Sequence, residues 1–153
     1  MMDPQAYNPY PSFQPGQQEA VQQILELHES GQKVVELNCP TAGGKSLDLY
    51  VLGRILTEEL ATGRTVYTTP LVALVNQLEN ESAFSAMPVL KGKRNYPCDI
   101  LRSALGNTWS SADDCPFENW QKAMGENPAC GMCPYHRAYG KFVSRDFGAT
   151  TLA

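Results

Sequence analysis

At 153 residues, 42% of them apolar and 18% charged, the chain is long enough for one domain with a core, or for one domain carrying a small insertion. No apolar run approaches the ~18 residues of a membrane span, and MMDPQAYNPY lacks the basic start and apolar core of a secretory leader, so a cytoplasmic location (nuclear in a eukaryote) and no membrane partner are expected. The formal charge of −4 is unevenly spread: residues 1–90 carry four basic and ten acidic side chains, residues 91–145 eight basic and five acidic.

The first 15 residues, with four prolines and three aromatics, read as an extended lead-in. After Pro15, the spacing of Ala20, Val21, Ile24, Leu25 and His28 predicts an amphipathic helix that Gly31 can end. KVVELNC (33–39) is short and rich in β-branched residues, and predicts a buried strand running into CPTAGGKS (39–46). From Ser46, Leu47, Leu49, Tyr50, Val51, Leu52, Ile55, Leu56 and Leu60 predict a helix apolar nearly all round, closing before Gly63. RTVYTT (64–69) predicts a second strand, and Thr69-Pro70 opens a further helix with Leu71, Val72, Leu74, Val75 and Leu78 on its core face. This alternation argues for an α/β fold, a parallel sheet covered by helices, with ligands at the carboxyl ends of the strands.

From Met87 prolines, glycines, cysteines and isolated aromatics replace the periodic apolar runs. The boundaries that follow are 1–88 for the first part of the α/β domain, 89–140 for an inserted subdomain, and 141–153 for the start of a return, where FGATTLA reads as another core strand. The insertion is too poor in aliphatics to hold itself together by burial alone and needs a staple.

CPTAGGKS ends like a phosphate-binding loop, G-x-x-x-x-G-K-[ST], but has Cys39 at the opening glycine. Such a cradle needs backbone amides over the anion, a helix amino end behind it, a lysine for the outer phosphates and a hydroxyl for magnesium. Thr41, Ala42, Gly43 and Gly44 would supply the first, Lys45 and Ser46 the rest, with Lys45 as the group acting on the reacting phosphate. A glycine-rich strand-to-helix turn with a solvent-facing lysine is the other reading of these residues.

Cys98, Cys115, Cys130 and Cys133 are separated by 16, 14 and 2 residues. A C-x-x-C pair plus two distant cysteines, in a reducing compartment, points to a tetrathiolate site, and spacing alone does not choose zinc over an iron-sulfur cluster. His136 could compete as a ligand; Cys39 is a small strand-end residue. The cations of the insertion (Lys91, Lys93, Arg94, Arg102, Lys122, Arg137, Lys141) interleave with Tyr96, Trp109, Phe117, Trp120, Tyr135 and Tyr139, the composition that tracks a single-stranded nucleic acid, although many of these rings must pack the small core.

CPTAGGKS followed by TTPLVALVNQL (68–78) resembles the first two motifs of superfamily 2 helicases, whose loop reads A/C-P-T-G-x-G-K-[ST]; Cys39 fits that pattern and Ala42 departs from it. LKGKRNYPC (90–98) and CPYHRA (133–138) are similar to segments flanking the cluster ligands of iron-sulfur DNA helicases of the xeroderma pigmentosum group D type, associated with DNA repair. The resemblance runs from Phe13 to about Arg145. It implies a RecA-like motor domain, a P-loop NTPase fold, interrupted by a small 4Fe-4S domain held by Cys98, Cys115, Cys130 and Cys133. It implies ATP and Mg²⁺ at Lys45 and Ser46, Gln17 of FQPGQ on the adenine edge, and Thr69 on the DNA backbone. Lys93, Arg94 and Tyr96 would face single-stranded DNA or a duplex junction, with Arg94 also able to reach a cluster sulfur. No D-E-A-H or similar motif occurs in the sequence, so the resemblance implies an amino-terminal portion of an ATP-dependent DNA helicase, inactive by itself. A non-motor module with structural zinc, nucleic-acid binding and a vestigial loop is the alternative from a different class.

Overall fold

The computed structural model describes residues 2–38, 44–60, 63–115, 125 and 128–151. It is a mixed α/β structure with a small parallel sheet flanked by helices. Strand β1 (Thr65–Thr69), β2 (Val89–Leu90) and β3 (Phe147–Thr151) lie in the order β1-β3-β2. The last strand in sequence is therefore the middle one. Its register pairs Thr65 with Phe147 and Thr69 with Thr151 on one side, and Val89 with Ala149 on the other.

Helix α1 (Gln17–Glu29) buries Val21 and Leu25 on the face the periodicity predicts, and ends two residues before Gly31. Helix α2 (Lys45–Glu58) buries Leu47, Tyr50, Val51, Leu52 and Ile55, as an all-round apolar helix must. Helix α3 (Val72–Asn80) follows β1 and buries Val75 and Leu78. It begins later than Thr69, because the Thr69 hydroxyl accepts the Leu71 N–H (3.2 Å) across the turn. These side chains meet Phe84, Met87, Val89 and Ala149 in one core.

Close approach decides one helical position. A Cβ on Gly53 of α2 would lie 2.3 Å from the Phe147 ring, which itself packs on Tyr50 with centroids 5.7 Å apart. Glycine there lets α2 lie flat on β3.

Two expectations need correcting. Residues 33–38 form no ladder, and Val34 is 87% exposed. β-branched side chains favour a strand only where a neighbour supplies hydrogen bonds and cover, and no described strand lies alongside. Residue 39, the last of that expected strand, lies outside the described residues. The chain also leaves the sheet after Leu90 rather than at Pro88, since Val89 and Leu90 pair with β3.

Beyond Leu90, helix α4 (Asp99–Leu105) buries none of its side chains, whereas helix α5 (Pro134–Val143) buries Phe142 and packs against β2 and β3. Just past α4 the described contacts are polar: Ser110 O accepts the Arg102 Nε–H (2.8 Å), and Asn107 Oδ1 accepts the Ser110 N–H (3.1 Å) and hydroxyl (3.0 Å). Among the described residues no helix is long and apolar enough to cross a membrane.

The glycines of α2 and α5 should respond with opposite sign. Gly53→Val should cost about 1–3 kcal/mol through overpacking against Phe147. Gly140→Ala in α5, where a Cβ meets nothing within 4 Å, should gain up to ~1 kcal/mol of helix propensity. Urea unfolding of the two variants reads both.

Candidate nucleotide, metal and nucleic-acid sites

Gly44 caps α2 with φ 70°, a left-handed conformation, and Lys45 and Ser46 open the helix. Thr41, Ala42 and Gly43 of the expected cradle lie outside the described residues, as does Cys39. Gln17 is buried: its Oε1 accepts the Gln14 N–H (2.7 Å) and its Nε2 donates to the Gly44 carbonyl (3.2 Å). A Cβ on Gly44 would stand 2.1 Å from that Nε2, so both backbone and neighbour require glycine. FQPGQ is thus clamped to the entrance of α2. Burial pushes the Tyr67 phenol on β1 up from its usual value, and the neighbouring Ser46 hydroxyl offsets part of that rise.

One residue of this helix carried no signal in the sequence. Asp48 in the first turn of α2 is only 2% exposed, and its Oδ1 has no hydrogen-bond partner. Burial raises its carboxyl from 3.8 to about 6. An aspartate in a first helical turn is normally read as a solvated charge complementing the helix dipole, and only the packing of α2 shows otherwise.

All four cysteines line one cavity of about 230 Å³, with His136 in the same wall. Cys98 is the N-cap of α4 and Cys133 the N-cap of α5. Cys115 follows the 3-10 turn Ala112–Asp114, and Cys130 lies in the turn Pro128–Met132. None of them is in a disulfide. Burial raises the Cys130 thiol, and the charges of Cys115, Cys98 and Cys133 raise it further. Four thiolates cannot ionise around one cavity without a counter-charge, so this donor set suits a cationic centre. Among the described residues no group of three or more His, Cys, Asp or Glu converges closely enough for a single ion. Burial and the charge of Lys93 lower His136, which therefore faces the cavity as a neutral imidazole near pH 7.

The residues expected to face DNA separate. Tyr96 is buried; its hydroxyl accepts the Lys91 N–H (3.0 Å) and its ring meets Tyr135 edge-on (5.6 Å), leaving no face for a base. Thr69 is also buried, its hydroxyl engaged at the Leu71 turn. Lys93 Nζ lies 5.6 Å over the Tyr135 ring. Arg94 is exposed and pairs with Asp113 (2.8 Å), a solvent-screened surface contact that a phosphate can displace. Tyr96 was legible as aromatic but not as buried, because only its packing against Tyr135 and the Lys91 backbone shows it turned inward.

Compared with known protein families, curated proteins and solved structures, the chain has no match.

Asp48 makes stability pH-dependent in a direction opposite to ordinary acid denaturation. Below pH ~3.8 its carboxyl is protonated folded or unfolded. As pH rises toward 6 the unfolded chain ionises first, so folding loses on the order of 3 kcal/mol, fully lost above pH ~7. Asp48→Asn should remove that component: the variant should gain on wild type between pH 4 and pH 7.5 in urea unfolding. A difference independent of pH would show Asp48 to be solvated.

Proposed function

We propose that the chain is the ATP-binding and cluster-bearing part of an iron-sulfur DNA helicase of superfamily 2, with a RecA-like motor domain 1 interrupted by a 4Fe-4S domain. The observation that carries the reading is the cavity lined by Cys98, Cys115, Cys130 and Cys133. Four cysteine sulfurs on one cavity wall are a donor set that a 4Fe-4S cluster can use, and the resemblance to iron-sulfur helicases favours the cluster over a tetrahedral zinc ion. A cluster supplies four strong thiolate bonds to a segment that buries few aliphatic side chains, and so stabilises it where burial does not.

In the nucleotide site, Lys45 and Ser46 would meet the outer phosphates and magnesium of ATP at the positive end of α2. Support comes from Gly44, whose left-handed backbone and contact with buried Gln17 tie the loop's last residue to the segment that would read adenine. DNA-stimulated hydrolysis and unwinding belong, in this reading, to a longer enzyme that adds an acidic magnesium-organising motif and a second motor domain.

Anaerobically purified protein should be brown, with broad absorbance near ~400 nm and stoichiometric iron and sulfide. Serine at Cys98, Cys115, Cys130 or Cys133 should abolish the colour; Cys39→Ser should keep it. Colourless protein with one zinc per chain would replace this reading with the zinc module. Separately, Mg·ATP binding by calorimetry should weaken at least ~10-fold, about 1.4 kcal/mol, in Lys45→Ala. Equal affinity in that variant would remove the nucleotide site.

A further inference from the structure

A cleft of about 600 Å³ lies beside α5 and is lined in part by Arg137, Lys141, Ser144 and Arg145. Arg137 and Lys141 are four residues apart on one helical face, a rise of about 6 Å, and Ser144 and Arg145 continue the line past the helix end. All four are exposed. The three cations form no ion pair among the described residues, and the acidic residue in the cleft wall, Glu79, is already bound to Lys91 (2.6 Å). The cleft is therefore net cationic.

Helix stability explains only part of this row. Cations in a last turn offset the negative end of the helix dipole, which accounts for Lys141 and Arg145. Arg137 is in the first turn, at the positive end, with no acidic residue in that turn to offset it. A cation in that position is unfavourable unless an anion is brought to it. The opposite wall contributes Tyr96, Phe84, Met87 and Val89, all nearly buried, so it presents a floor and no stacking face. Such a surface fits the charged backbone of a polyanion with its bases turned outward.

We propose that a nucleic-acid single strand runs through this cleft with successive phosphates on Arg137, Lys141 and Arg145, and that this row, not Lys93, Arg94 and Tyr96, is the principal phosphate track. The proposal rests on the nucleic-acid-binding reading above and adds its path. Pro134 lines both this cleft and the cysteine cavity, so the helix that begins at Cys133 presents the strand beside the cluster site.

The test is the salt dependence of labelled oligo(dT) binding to the full chain, read by fluorescence anisotropy. Each lost phosphate contact on single-stranded DNA lowers the slope of log K against log salt by ~0.7. Arg137→Gln/Lys141→Gln/Arg145→Gln should lose about 2 in slope, each single change ~0.7, and Lys33→Gln nothing. Circular dichroism should be unchanged, because all three side chains are exposed. An unchanged slope in the triple variant, or a greater loss in Lys93→Gln/Arg94→Gln, overturns the path while leaving nucleic-acid binding intact. Poly-L-glutamate competing as well as oligo(dT) at equal charge would overturn it in favour of an acidic polypeptide. Wild-type protein that keeps its iron and binds Mg·ATP but no oligo(dT) would overturn both the path and the nucleic-acid reading.

Discussion

The parallel placement of β3 between β1 and β2 constrains the rest of the molecule. A parallel neighbour cannot be reached by a hairpin; the chain must leave β2 at the carboxyl end of the sheet and return to β3 at the amino end. Everything from Lys91 to Asp146 is that crossover. Helix α5 supplies its return leg, packing on β2 and β3 and burying Phe142. Residues 91–146 are therefore the connection of a β-α-β unit.

Both ends of the crossover are tied to the sheet. At the carboxyl end, Gly92 N–H donates to Thr151 Oγ1 (3.0 Å) and Lys91 bridges to Glu79 of α3. At the amino end, Arg64 donates to the Phe142 carbonyl (2.7 Å) and lies 4.4 Å over its ring, capping the negative end of α5. Arg64 thus fixes the C-terminal end of α5, which packs on β2 and β3 and begins after Cys133. The cysteine cavity and the cationic cleft share this one helix.

The core divides the same way. From α1 to β2 it is aliphatic and aromatic, and burial is enough to hold it. Among the described residues between Lys91 and Cys133 the buried ones are Tyr96, Ser110, Ser111, Ala112 and Cys130, small or polar apart from one tyrosine. Each buried hydroxyl there is hydrogen-bonded, as Ser111 to Asp114 (3.0 Å), which avoids a penalty but adds little net stability. A cluster bound by four cysteines would supply the missing stabilisation, in keeping with the proposed function.

Local sequence decided the elements whose signals are local. Helical periodicity placed α1, α2 and α3; β-branched composition placed β1; and FGATT, short and bounded by Asp146, read as the returning strand that became β3. The scarcity of aliphatic residues between 89 and 140 was legible because it is itself a sequence property. Tertiary structure decided what depends on neighbours. KVVELN has strand propensity but no partner among the described strands. Tyr96 is a core ring, and Asp48 a buried acid, only because of what packs over them. Arg137, Lys141 and Arg145 are scattered charges in the sequence and become one row only when α5 turns a single face to the cleft. Propensity acts along the chain, whereas burial and electrostatic fields are set by distances that only the folded chain defines.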